Sequence, residues 1–284
     1  MVYRVIRSIV CHIRRESYAR YFGFRVLIDS LLLDPLYAYV ISVLGKPNML
    51  EKGRRRVIER RMNAVEHRYN VKFADCPFFP PDILWQDYLQ LVTFYPKPDS
   101  VVLDVGANIG DWSIIVGKYF RARVIAIEPV SSAFRYLERN IELNSLEERV
   151  IAINCALGSY IGTTTFHADI QTGYATLSNS NVGLSSPPAQ YPLETLDNIV
   201  KSHKLQSVYL IKIDVEGSEV TVLEGCEQTI VRFKPKFIVE VHSLVLRELV
   251  IAYFTKHDYS MMLEKVNFVG FISVLYFSPS GPSN

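Results

Sequence analysis

Cysteine is scarce in this chain of 284 residues. The four present, Cys11, Cys76, Cys155 and Cys226, form no C-x-x-C pair and no zinc-ligand spacing. A chain this long does not need disulfide staples to fold. These absences exclude a disulfide-framed secreted module and a small zinc-bound domain, and they favour a reducing, cytoplasmic setting. A secretory leader is not expected either. The first residues, "MVYRVIRSIVCHIRRESYAR", carry arginines throughout and lack a long apolar stretch.

A long uncharged apolar run is also missing. Residues 22–45, "FGFRVLIDSLLLDPLYAYVISVLG", have the length to span a bilayer but contain Arg25, Asp29 and Asp34. Each such charge costs about 2.5–3.5 kcal/mol near mid-membrane, and Pro35 interrupts the helix. A spanning helix is therefore not expected. Arg25 and Asp29, four apart, suit a solvated or interfacial helix. Two readings of this stretch fit: an amphipathic hairpin on anionic lipid, backed by "KGRRRVIERR" (52–61), or core packing of the same apolar faces. Internal repeats are lacking, and the only low-complexity segment is the polar tail "SPSGPSN".

Net charge is small, +2, but unevenly placed. Residues 1–72 hold 15 Lys/Arg against 6 Asp/Glu, +9, and the remaining 212 hold 16 against 23, −7. The basic part matches either an anionic partner surface, such as a membrane, or a solvated helical face. Nucleic acid is disfavoured, because tyrosines sit mainly in apolar runs instead of interleaving with the arginines. The remaining composition, 49% hydrophobic and 21% charged, supports a sizeable core.

The expected organisation is a basic helical segment at 1–80, a catalytic domain at 81–278 and a disordered tail at 279–284. Val57, Ile58, Met62, Val65 and Tyr69 recur at helical spacing opposite a basic face. "CPFFPPD" (76–82) reads as a linker, and a helix is expected over 83–94. After Ser100 strands and helices alternate: strand 101–106, helix 111–120, strand 123–128, helix 131–144 capped by Ser131 or Ser132, and strand 150–156. A hairpin at 158–169 and a loop follow, then helix 195–203, strand 207–214, helix 217–230, strand 237–242 and helix 243–256. Strands near 259–264 and 271–278 close the chain as an antiparallel pair at one sheet edge. This order predicts an α/β fold with a doubly wound, mainly parallel sheet.

The most specific chemistry lies in "VVLDVGANIGDWS" (101–113). Gly106 and Gly110 follow a strand and precede a helix, so backbone can approach a ligand closely. The spacing is G-x-N-x-G, with Asp104 two residues before the first glycine. A carboxylate there repels a pyrophosphate and suits a cation. Glu128 ends the next strand, 18 residues after Gly110, where an acid can accept both ribose hydroxyls. A second charged run, "KIDVEGSE" (212–219), falls where a strand ends and a helix begins, the edge at which open α/β sheets bind ligands.

These segments, with "AIEPVSSAFRYLERNIELN", "TLD" (195–197), "LEGC" and "KPKFIVEVH", resemble the FkbM-type methyltransferase family from about Ser100 to the last strands. The resemblance implies a class I, Rossmann-like fold with seven strands and O-methyl transfer from S-adenosylmethionine, and it leaves the acceptor open; a hydroxyl of a sugar, a glycolipid or a small metabolite is the expectation. It implies cofactor contacts at Asp104, Gly106, Asn108, Gly110 and Glu128, with Asp214 beside the reacting centre. Ala107, Pro129, Cys155 and Ala156 flank these positions and complete the expected cofactor set, Cys155 as an apolar filler.

A hydroxyl is a poor nucleophile and needs a base. The candidates are Asp214, Glu216, Glu240 and His242, and the expected base is His242, since histidine titrates near neutrality; the alternative is that His242 caps the next helix or bonds Glu240. Lys212 is expected to pair with Asp214 or Glu240. His167, on the expected hairpin, has two readings, an exposed hairpin histidine first and a member of the acceptor pocket second. Asp214 and Glu216 also have the chemistry to ligate Mg²⁺, although Lys212 argues against it and no metal is expected. Two rivals stand beside this reading: a nicotinamide-dependent oxidoreductase on a similar sheet, and a membrane-peripheral binding protein that keeps a vestigial fold.

Overall fold

The computed structural model describes residues 62–63, 65–74, 88–168, 175–176, 188–266 and 272–281. The basic segment up to residue 61, the linker at 76–82, most of the loop after 176 and the last three tail residues fall outside the described residues. Among the described residues, no helix is long and apolar enough to cross a membrane.

Two compact units are present, Met1–Val71 and Lys72–Asn284. In the first, the described part of the expected helix is helical at 62–63 and 65–69.

The second unit is built on a seven-stranded sheet. Its strands are β1 (Val101–Val105), β2 (Arg123–Ile127), β3 (Val150–Ile153), β8 (Leu210–Ile213), β9 (Lys236–Val241), β10 (Tyr259–Val266) and β11 (Ser273–Pro279). Their order is β10-β11-β9-β8-β1-β2-β3. All neighbours from β9 to β3 run parallel, while β11 is antiparallel to both β9 and β10. The two closing strands thus form the expected antiparallel pair at one edge. The helices are α1 (Asp111–Lys118), α2 (Ser131–Leu143), α3 (Leu196–Ser202), α4 (Glu219–Glu224), α5 (Glu227–Phe233) and α6 (Leu244–Lys256).

β1 and β8 are buried along their whole length, as expected when helices cover both faces of a parallel sheet. One face carries Leu103, Val105, Ile211, Ile213, Phe237 and Val239 against Leu196, Val222, Ile230, Val250 and Phe254 of α3 to α6. The opposite face carries Asp104 and Lys212, which are direct neighbours in the β1–β8 register, and α1 lies over it through Ser113.

A smaller sheet, β4-β7-β5-β6, is formed by β4 (Ala156–Leu157), β7 (Ala189–Glu194), β5 (Gly162–Ala168) and β6 (Ala175–Thr176). It corrects the expected hairpin at 158–169. β5 pairs antiparallel with β7 and β6 instead of folding back on β4, which runs parallel to β7.

Three other expectations are corrected. The end of the expected helix at 83–94 is only a 3-10 turn, Val92–Phe94. The expected helix at 217–230 is two helices, broken at Gly225, where a Cβ would lie 2.1 Å from the Gly158 carbonyl oxygen. Neither Ser131 nor Ser132 caps α2, because the helix starts at Ser131 itself and its N-cap is Val130.

Candidate active site

The turn between β1 and α1 is held by its own backbone. Gly106 and Ala107 both donate N–H to the Ile127 carbonyl at 3.0 Å, and Gly110 donates to the Ala107 carbonyl at 2.8 Å. Asn108 donates its N–H to Glu128 Oε2 at 2.9 Å. A glycine is required at 106, where φ is +77° and a Cβ would lie 1.7 Å from the Asp214 carbonyl oxygen. Asn140, fully buried on α2, donates to the Ile109 carbonyl and fixes the turn from behind.

This bonding decides which ligand the turn suits. A pyrophosphate cradle presents free backbone N–H groups, and here the four named N–H groups are all spent within the protein. Asn108 Oδ1, by contrast, is buried and has no hydrogen-bond partner. An orphan acceptor calls for a donor such as an ammonium. Glu128, 5% exposed, accepts from Asn108 N–H and from Val130 N–H at 2.8 Å. Each of its oxygens keeps a lone pair for a ribose hydroxyl. Burial pushes its pKa up to about 7, against the lowering effect of the two backbone bonds.

Asp104 departs from the sequence reading. Its carboxylate is fully buried, accepts from Ser113 Oγ at 2.6 Å and pairs with Lys212 Nζ at 3.2 Å. It therefore braces the turn from below and does not present a charge to a ligand. Lys212 also donates to the Gly106 carbonyl at 3.3 Å and lies 3.7 Å from Asp214 Oδ2. It meets Asp214 as expected, with Asp104 as its nearer partner. Pro129 contributes its carbonyl to Asn154 Nδ2. Cys155 and Ala156 are buried in the apolar clusters, and burial raises the Cys155 thiol to about 12.

Beyond the ends of β8 and β9, four carboxylates converge on one imidazole. His242 Nδ1 lies 3.2 Å from Glu219 Oε1. Its Nε2 lies 3.2 Å from Glu216 Oε2, 3.3 Å from Glu240 Oε1 and 3.8 Å from Asp214 Oδ1. Tyr88 closes the group, with its hydroxyl 2.9 Å from Asp214 Oδ2 and 2.5 Å from Glu240 Oε2. Glu216 sits at φ +52°, a left-handed conformation that costs a non-glycine residue about 1–2 kcal/mol and is typical of functional turns.

This geometry argues against His242 as the base. Burial disfavours its charge, but Glu219 bonded at Nδ1, the Glu240 carboxylate beside Nε2 and the charges of Glu216 and Asp214 outweigh burial and raise its pKa to about 11. In this arrangement the ring already holds its proton. Glu216 is raised to about 8, first by burial and then by Asp214 and its other acidic neighbours, and Glu240 is raised for the same reasons. His242 also lies just past β9, which ends at Val241, so strand alternation with Glu240 is not what places it.

The sequence reading thus named Asp214, Glu216, Glu240 and His242, and the structure gathers all four. Two further members were missed. Tyr88 lay in an expected helix with nothing in its spacing to mark it. Glu219 was visible in the charged run but was not singled out. His167 lies apart from the group, on β5 of the smaller sheet, opposite Thr176.

Comparison with known proteins follows this geometry. The Methyltransferase FkbM domain family matches residues 104–261. A hexuronic acid methyltransferase, AglP, of Haloferax volcanii is 30% identical over 162 residues, covering 56% of this chain and 62% of that protein. The AMB antimetabolite synthetase AmbE of Pseudomonas aeruginosa is 28% identical over 221 residues, 66% of this chain but 10% of its own length. The chain therefore spans less than two thirds of these relatives. The crystal structure of a methyltransferase FkbM from Methylobacillus flagellatus superposes with a TM-score of 0.50 at 18% identity, over 88% of this chain and 60% of that one, a likeness of fold. With the family match spanning more than half of its length, this chain is a methyltransferase of the FkbM family.

Proposed function

We propose that the chain transfers a methyl group from S-adenosylmethionine to a hydroxyl oxygen, and that the acceptor is a sugar or glycan. The observation that carries the cofactor is the turn at 106–110. Four of its five N–H groups, those of Gly106, Ala107, Asn108 and Gly110, are spent within the protein, which disfavours a dinucleotide phosphate, while Asn108 Oδ1 and the spare lone pairs of Glu128 await donors. When bound, the cofactor supplies a methyl carbon made electrophilic by its sulfonium.

The chain's own groups do the rest. Glu128 holds the ribose hydroxyls, and Asn108 Oδ1 accepts from the ammonium. Asp214, whose backbone lies against Gly106, joins the turn to the acidic cluster. There the partly exposed Glu216, in its deprotonated form, would accept the acceptor's proton as the oxygen–methyl bond forms and the sulfur–methyl bond breaks to release the neutral thioether, while Asp214 and the Tyr88 hydroxyl would orient the oxygen. Most of the acceleration comes from holding that oxygen about 3–3.5 Å from the methyl carbon. The polar acceptor class is supported by the density of carboxylates, which suit polyhydroxylated ligands, and by the hexuronic acid named for the Haloferax relative.

Calorimetry with S-adenosylhomocysteine and with NAD tests the cofactor, and transfer of labelled methyl to free hexuronic acids and to a cell-extract glycan pool tests the acceptor. Binding of the first nucleoside alone, with label recovered on a sugar oxygen, is the expected result. Tight NAD binding, or label recovered on nitrogen or carbon only, sinks the proposal.

A further inference from the structure

The arrangement around His242 has a geometry that a proton alone leaves unsatisfied. Its Nδ1 faces Glu219 Oε1, while its Nε2 faces Glu216, Glu240 and Asp214 at 3.2–3.8 Å. A single N–H can serve one of those three oxygens. Glu240 Oε1 shows the deficit: the residue is fully buried, and this oxygen accepts no hydrogen bond although it lies 3.3 Å from Nε2. Glu219 Oε2 is likewise buried without a hydrogen-bond partner.

The outer contacts are those of a metal centre. Tyr88 engages Oδ2 of Asp214 and Oε2 of Glu240, which turns the other oxygen of each, Oδ1 and Oε1, toward Nε2. Glu219 takes Nδ1, and a carboxylate there fixes the tautomer and orientation of a ligating histidine. One atom from each of Asp214, Glu240 and His242 lies within 4.8 Å of the others. Ligands about 2.0–2.2 Å from one ion stand roughly 3–4 Å apart, so only small side-chain shifts are needed.

We propose that Asp214, Glu240 and His242 bind one divalent first-row transition ion of the Mn²⁺ type, with Tyr88 and Glu219 as positioning residues. Two carboxylates with one imidazole fit Mn²⁺ better than Mg²⁺, which prefers oxygen ligands throughout. The ion takes the place of the proton on Nε2. Three protein ligands leave positions open for water or an oxygen ligand. On the reading given under Proposed function, that oxygen is the acceptor hydroxyl, acidified by the ion, with Glu216 beside it to receive the proton.

The test uses the full chain, stripped with a chelator and titrated with Mn²⁺ in the absence of cofactor and acceptor, free Mn²⁺ being read by electron paramagnetic resonance. One Mn²⁺ per chain is expected, competed by Zn²⁺. Asp214→Asn and Glu240→Gln should weaken binding at least tenfold, and Glu219→Gln by about 10–100-fold, with circular dichroism unchanged. Stoichiometric binding lost in these variants supports the site. No binding at millimolar Mn²⁺ or Zn²⁺, or equal affinity in folded variants, overturns it. S-adenosylhomocysteine binding without ion binding ends this inference and spares the methyltransferase reading. Ion binding without S-adenosylhomocysteine binding does the reverse.

Discussion

The Tyr88 hydroxyl stands 2.5 Å from Glu240 Oε2, with Asp214 Oδ2 on its other side at 2.9 Å. One hydroxyl carries one proton, so it cannot donate to two carboxylates at once. Without a bound ion the bridge is complete only when one of the acids keeps a proton, and burial with the charge of Asp214 raises Glu240 in that direction. Tyr88→Phe conserves the ring and removes the bridge. The Tyr88 hydroxyl is engaged by the Asp214 and Glu240 carboxylates, so its loss should act on the acidic cluster and leave S-adenosylhomocysteine affinity within a factor of two. Turnover should fall about 10–100-fold, the cost of about 1.4–2.7 kcal/mol of lost positioning. A variant with wild-type kcat removes Tyr88 from the site.

Beneath the same cluster, Lys212 and Asp104 form an ion pair with side chains 3% and 0% exposed. Breaking such a pair from one side strands the other charge and costs about 3–5 kcal/mol. Lys212→Met should therefore destabilise strongly, Ser113 remaining as the only described support for Asp104. Lys212→Met with Asp104→Asn should recover much of the loss, since no lone charge is then buried. Urea midpoints for the two singles and the double decide this, and strict additivity would show that the pair is not coupled.

How much of this was legible in the sequence follows from range. The β1–turn–α1 segment and the charged run at 212–219 were readable because their chemistry is local: a strand, a left-handed glycine and a helix start within a dozen residues. The strand series was readable because strands buried on both faces are continuous apolar runs, as in β1 and β8. The partners of those residues were not readable. Asp104 was expected to face a cationic ligand, yet Lys212, 108 positions away, takes it, and only the β1–β8 register brings the two together. Tyr88 reaches Glu240 across 152 positions. The surroundings of His242 were hidden for the same reason, since its four acidic neighbours come from separate turns and strands.

Glu128 supplies a pH test of the cofactor site. Burial raises its pKa from 4.5 to about 7, so the folded chain holds this proton more tightly than the unfolded chain does. Its contribution to stability is full below about 4.5 and is lost as pH rises through 7. Ribose binding needs the opposite state, the carboxylate. S-adenosylhomocysteine affinity should thus rise by about tenfold between pH 6 and 8, the worth of one charge-assisted hydrogen bond. Glu128→Gln should bind weakly with a flat profile across that range, and its stability relative to wild type should improve as pH rises. Parallel pH profiles for the two proteins in calorimetry would remove Glu128 from the binding step.

Away from the site, Arg247 on α6 grips Glu264 on β10 with two parallel bonds, Nε to Oε1 and Nη2 to Oε2, both 2.6 Å. The Arg247 bonds hold the Glu264 carboxyl below its usual value. The side chains are 24% and 20% exposed, so solvent and salt screen part of the attraction, and about 1 kcal/mol is expected. The lowered pKa sets the sign. The contribution is present above about 4.5 and fades as pH falls through the folded value, when the carboxylate takes a proton. Glu264→Gln should therefore melt a few degrees lower than wild type at pH 7, and the gap should close as pH falls below 4 and narrow in 1 M salt. A gap that persisted at low pH would mean that Glu264 acts by packing β10 against α6 and not through its charge.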